Sequence, residues 1–220
     1  MMRYLLFIPA ILIAACTNIT PVDQQYSGFL DDYSGLEPLE LSDGSTAMRW
    51  HAPDARAGNY TKVIVNPVEY YPRPQPSDQV SRDRLLELSS YMTALVKEDL
   101  GQDFEVVSEP GPNTFSLRFA ITGVETPTEG LKVYNAIPVS MVIAGVSTAI
   151  GERDHVPVIY IEAMATDSVS GKMLAKGVRQ GVGENLKDDQ EQLSLDHLKE
   201  MASGWSGDVA TMARRMKPAS

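Results

Sequence analysis

Cysteine occurs once in this chain, at Cys16, directly after Ile13-Ala14-Ala15. A thiol can accept a fatty acyl chain, and the residues before this one give that chemistry a context. Residues 1–3 end on the positive charge of Arg3, residues 4–15 are apolar, and small residues precede the cysteine. This is the order of a secretory signal, with Cys16 immediately after its cleavage point. The expected chemistry is cleavage before Cys16, acylation of its thiol by a chain such as palmitate, and acylation of the new amino group. The apolar run is too short to span a bilayer, which takes roughly 20 residues. Each buried methylene contributes ~0.8 kcal/mol, so several chains on one residue hold a protein on a membrane stably.

Other reactive groups do not fall into a working pattern. His51, His155 and His197 are far apart, and no pair has the spacing of a metal-binding helix motif. Asp31-Asp32 and Asp188-Asp189 offer oxygens to a divalent cation but lack the spacing of a binding loop, so solvated acidic turns are expected. Glu162 and Asp167 fall on opposite faces of a strand, which is poor geometry for acid–base work. Asp167 is expected to build a turn instead. Gly177, Gly181 and Gly183 lie at a strand's end, where edge or bulge roles suit them better than phosphate binding. No catalytic residue, cofactor site or metal site is therefore assigned.

With 29 acidic against 19 basic residues, the net charge is −10. Such acidity argues against nucleic acid, whose phosphates need a basic patch. With Cys16 used for lipid, no thiol remains for a disulfide, a metal or catalysis.

The elements that would carry these residues follow from periodicity. Residues 16–59 read as a tether lipidated at Cys16 and an irregular lead-in rich in Asp, Ser, Gly and Pro, though Tyr26, Phe29, Tyr33, Leu36, Leu39 and Leu41 suggest that it packs along the domain. A single domain is expected over residues 60–217. Residues 60–69 are β-rich, with Pro67 near an edge or strand end, and residues 70–76 form a stiff connector. Leu85, Leu88, Met92, Leu95 and Val96 mark one face of a helix, started by Ser77 or Ser81 and ended by Gly101. A short strand is expected over 104–107. Phe115, Leu117, Phe119 and Ile121 alternate as a half-buried strand does. Strands 156–166 and 172–182 flank a turn at 167–171. Leu195, Leu198, Met201, Trp205, Val209, Met212 and Met216 mark a last helix, weakened at Gly204 and Gly207. The expected fold is α+β: a mainly antiparallel sheet with two helices packed on one face, preceded by an irregular N-terminal tether.

Two features remain. Residues 137–150, bounded by Ile137 and Ile150, are nearly uncharged. They read first as buried core, second as a surface for self-association or docking, and last as a membrane-inserting strand. Tyr26, Phe29, Tyr33, Trp50, Tyr60, Tyr70 and Tyr71 form an aromatic set that suits packing of the lead-in on the sheet, or an interface.

Several blocks resemble a bacterial lipoprotein family, domain of unknown function 3313. They are Tyr26-Ser27-Gly28-Phe29-Leu30-Asp31-Asp32-Tyr33-Ser34-Gly35-Leu36, then Met48-Arg49-Trp50, Tyr60-Thr61-Lys62-Val63 and Asn66-Pro67-Val68-Glu69. A further block joins residues 161–168 to residues 170–175. The resemblance implies a location and class but no activity. Thr17 resembles the lipoprotein pattern that routes to the outer membrane, facing the periplasm. The leading expectation is a non-enzymatic lipoprotein, membrane-held through Cys16, presenting its domain to a periplasmic protein partner. An oligomeric pore or secretion component, and a periplasmic enzyme or ligand binder, are the alternatives.

Overall fold

The structure is a computed structural model and describes residues 27–41, 45–55, 59–73, 80–126, 130–133, 156–187 and 191–217. Cys16, His155, Asp188-Asp189 and the whole of residues 137–150 lie outside the described residues. Nine strands and two longer helices are described. In chain order they are β1 (Glu37–Glu40), β2 (Thr46–His51), β3 (Lys62–Val65), β4 (Glu69–Tyr70), α1 (Arg82–Gly101), β5 (Glu105–Val106), β6 (Thr114–Thr126), β7 (Gly130–Val133), β8 (Val158–Asp167), β9 (Met173–Val182) and α2 (Lys199–Arg214). The fold is α+β.

The strands make one sheet in the order β1-β2-β9-β8-β6-β3-β5, with β4 and β7 also pairing with β6. The long strands β6, β8 and β9 pair antiparallel, from Phe115 opposite Asp167 to Glu125 opposite Val158, and from Val158 opposite Val182. β3 and β4 run parallel to β6. A parallel pair needs a crossover, and α1 supplies it.

Alternation along β6 sends Phe115, Leu117, Phe119 and Ile121 to one face. A bulge after Ile121 resets the register, and Val124 returns to that face. These side chains share one core with Leu85, Leu88, Met92, Val96 and Leu100 of α1 and with Ala202, Trp205, Ala210 and Ala213 of α2. Burying each large apolar side chain contributes about 1.5–3 kcal/mol, so this is the main source of stability. A second, smaller cluster joins Ala120, Met164 and Val178 to Phe29 and Leu30 of the N-terminal segment.

Ser81 caps α1, its side chain accepting from Arg84 N–H. The expected strand at 60–69 is interrupted because Pro67 has no N–H to give a ladder. Asn66 spans the break: its amide donates to Ser116 Oγ and Leu117 O. Helix α1 completes the repair, with Val68 N–H donating to Thr93 Oγ1 and the Ser89 hydroxyl donating to Val68 O.

One expectation needs correction. Among the described residues regular structure begins at Glu37, well before Tyr60: β1 and β2 belong to the sheet, β2 pairing with β9 from Ala47 opposite Arg179 to His51 opposite Ala175. The last helix lies where the apolar periodicity from Leu195 to Met216 puts it. It starts as a 3-10 turn at Asp196–Leu198 and runs unbroken from Lys199 to Arg214, through Gly204 and Gly207.

Candidate functional site

The densest polar constellation lies on the sheet face where Phe29 and Leu30 are buried. It is built by the segment that reads Ser27-Gly28-Phe29-Leu30-Asp31-Asp32-Tyr33-Ser34-Gly35. At its centre is Glu162 of β8, only 1% exposed. An isolated buried carboxylate is costly unless hydrogen-bonded. The Tyr33 hydroxyl donates to Glu162 Oε2 at 2.5 Å. The same hydroxyl oxygen accepts from Gly28 N–H at 3.0 Å and Leu30 N–H at 3.2 Å, with Ser27 Oγ 3.1 Å away. Burial pushes the Glu162 carboxyl above its ordinary value, against the pull of hydrogen bonds from Ser27, Tyr33 and Leu30. Burial, and then Glu162 itself, push the Tyr33 phenol up to about 12.

A second clasp lies beside the first. Lys176 of β9, its side chain 5% exposed, donates to Asp32 Oδ2 at 2.7 Å and to Asp32 O at 2.6 Å. Asp32 also accepts from Ser34 N–H and the Ser34 hydroxyl. Lys176, then Ser34, hold its carboxyl far below the usual carboxylate range. The ammonium lies 5.4 Å over the Trp50 ring. Gly35, at φ +73°, lies against that ring, where a Cβ would come within 2.9 Å of Trp50 Cδ1. Phe29 meets the Tyr71 ring edge-on at 5.9 Å and carries the Arg118 guanidinium 5.0 Å over its face.

The chemistry open to this set is limited. Tyr33 holds its proton far above neutral pH, so it is a donor rather than a base or nucleophile. Glu162 is sealed beneath Leu30 and its donors. Asp32 is committed to Lys176 and Ser34, which uses the oxygens a cation would need. The arrangement pins an irregular segment to a sheet.

The remaining candidates are dispersed. Glu162 and Asp167 do not meet. Asp167 builds its turn, Oδ1 accepting from Ser170 N–H, the Ser170 hydroxyl and Val169 N–H, while Oδ2 accepts from the Tyr60 hydroxyl at 3.0 Å. Exposed His51 ends β2. His197 precedes α2, with Nδ1 accepting from Ser194 N–H and Nε2 3.6 Å from Glu191. Among the described residues no three His, Cys, Asp or Glu side chains gather as metal ligands. Gly181 owes its place to close packing: a Cβ there would fall 2.4 Å from Trp205 Cζ2 of α2. The pairing of Tyr33 with Glu162 and of Asp32 with Lys176 was not read from the sequence. Its one signal was Glu162, a charge within the otherwise apolar run of residues 158–165.

The segment that builds both clasps opens the region, residues 25–209, matched by the model of a family described as protein of unknown function, DUF3313. The chain belongs to the DUF3313 family. It is also 34% identical over 200 residues to the uncharacterized lipoprotein YdcL of Escherichia coli K12, covering 91% of this chain and 90% of that one. Among solved structures, a PelC dodecamer subunit from Paraburkholderia phytofirmans aligns over 80% of this chain and 99% of its own, at 11% identity and a TM-score of 0.42. A DUF4136 family protein from Bacteroides thetaiotaomicron aligns over 78% of this chain and 96% of its own, at 5% identity and a TM-score of 0.35. The family match covers both strands of the buried Glu162 and Lys176 as well as the segment that seals them.

Proposed function

We propose that this DUF3313 member is a lipoprotein held by acylated Cys16 on the periplasmic face of the outer membrane, where its domain is presented to an envelope protein without enzymatic activity of its own. The observation that carries the reading is the cysteine itself, placed directly after an apolar leader and small residues. The lipoprotein name of the Escherichia coli relative supports it. Thr17, rather than an aspartate, supports the outer membrane as destination.

The non-enzymatic part rests on how the polar groups are spent. Tyr33 with Glu162 and Asp32 with Lys176 are spent on fastening residues 27–35 to the sheet. That fastening also limits reach. Residues 17–26 separate the anchor from Ser27, and a fully extended residue spans at most ~3.6 Å. Ser27 therefore lies within roughly 40 Å of the bilayer surface, which favours a partner embedded in or lying near that membrane.

In-cell crosslinking followed by affinity capture tests this, with Cys16→Ala run beside the parent. The expected result is an envelope protein recovered with the parent and lost with Cys16→Ala. Equal recovery from both would overturn the role of the anchor, and turnover of an envelope substrate by the purified chain would overturn the non-enzymatic assignment.

A further inference from the structure

On the face opposite the clasp, the sheet is floored with small residues where α2 crosses it. Ala163 and Ala165 of β8 and Ala175 and Gly177 of β9 leave room that Val209 and Met212 of α2 roof over without filling. Two adjoining cavities result, of about 160 and 110 Å³, sharing Phe119, Ala163 and Gly177 as walls. Each is close in size to the ~150 Å³ apolar cavity that accepts benzene. Their lining is chiefly apolar, and the larger one reaches the surface beside the exposed residues His51 and Arg215.

The rim carries the second observation. Arg49 of β2 and Arg215, just beyond α2, both line the larger cavity. Neither guanidinium has a carboxylate partner among the described residues, in a chain of net charge −10. Of the other described arginines, Arg84, Arg118, Arg179 and Arg214 each have one, and the exposed Arg73 and Arg82 do not. The two cations share the lining of one cavity, and burial, then repulsion from Arg215, lower the Arg49 pKa. A cation pair with no carboxylate partner among the described residues, at the mouth of an apolar cavity, complements a ligand that is apolar along its length and anionic at one end.

We propose that this cavity binds a fatty acid, its single chain lying over the Ala163–Gly177 floor and its carboxylate held by Arg49 and Arg215. Two benzene-sized volumes end to end suit a chain of roughly ten to twelve carbons. Guanidinium and carboxylate match in bidentate geometry, which gives the head group its selectivity. This site goes beyond the anchoring and docking reading and stands or falls without it.

The test is calorimetric titration of dodecanoate, below its micellar concentration, into the full chain carrying Cys16→Ala so that no detergent is needed. Dodecyltrimethylammonium, with the same chain length and a cationic head, is titrated alongside. The expected result is one saturable site for dodecanoate, weaker by about tenfold or more for the ammonium compound and for the Arg49→Gln, Arg215→Gln double variant. Ala163→Met, which fills the floor, should abolish binding. If Ala163→Met does not fold, the head-group comparison and the arginine variant decide the matter, since Arg215 is exposed and Arg49 only partly buried. No saturable binding, or equal affinity for both head groups, would overturn the proposal.

Discussion

Tyr33 and Glu162 concentrate the cost and the gain of the clasp in one hydrogen bond. Tyr33→Phe removes the donor to a buried carboxylate and the acceptor for the Gly28 and Leu30 N–H groups. A hydrogen bond to a charged group is worth about 1.5–3 kcal/mol, so a loss of about 2 kcal/mol is expected. Thermal unfolding should show it as a fall in Tm of roughly 4–8 °C. Ultraviolet titration of the two forms should differ by one phenol titrating at about 12. Glu162 adds a pH dependence of definite sign. Its folded-state pKa is raised above the ordinary 4.5, so the native chain binds that proton more tightly than the unfolded chain. The stability this confers is complete below 4.5 and lost as pH rises through the folded value. Glu162→Gln has no such proton to lose, so its stability relative to the parent should improve with rising pH. Denaturant melts at a series of pH values check this, and a constant difference would count against it. Neither partner was legible in the sequence beforehand. Glu162 could be seen as a charge on an apolar strand, but Tyr33 is 129 residues away, and Asp32 is 144 from Lys176. No periodicity connects side chains over such separations.

Among the elements, α1 and the strands β6, β8 and β9 were legible because each buries one face regularly and leaves the other to solvent or to a distinct layer. β2 was not, and its reason is physical. Arg49 and His51 face the cavity under α2 while Met48 and Trp50 lie toward the clasp, an alternation of four residues only, set in a segment rich in Asp, Ser, Gly and Pro. Its strand character comes from pairing with β9 rather than from its own pattern. Glycine in β9 shows a related limit. Gly181 was readable as an edge or bulge residue, yet its environment is Trp205 and Met201 of α2, which press onto its Cα. Gly181→Ala should push α2 from the sheet and cost about 1–3 kcal/mol, as overpacking of a filled interface does. Denaturant unfolding measures this, and an unchanged midpoint would mean that α2 does not approach the sheet so closely. Ser206, buried at 1% with its Oγ lacking a hydrogen-bond partner among the described residues, gives the opposite expectation. Ser206→Ala should leave stability unchanged or raise it by up to about 1 kcal/mol.

At the scale of the molecule, the α+β class was legible from the alternation of periods two and three to four, and the family from the blocks around residues 26–36 and 161–175. What escaped was the use of the two sheet faces: a polar clasp on one and a small-residue cavity rimmed by Arg49 and Arg215 on the other. Both arise from residues that each look ordinary in sequence, alanines and glycine in β8 and β9, a glutamate and a lysine between them. The account as a whole rests on the anchor, because location, reach and partner all follow from it. The most direct test is mass spectrometry of the amino-terminal peptide from the protein isolated in separated membrane and periplasmic fractions. The expected result is a chain that begins at Cys16, carries acyl groups on that residue and sits in the outer-membrane fraction. A soluble periplasmic chain with an unmodified Cys16, or a lipidated one in the inner-membrane fraction, would contradict it.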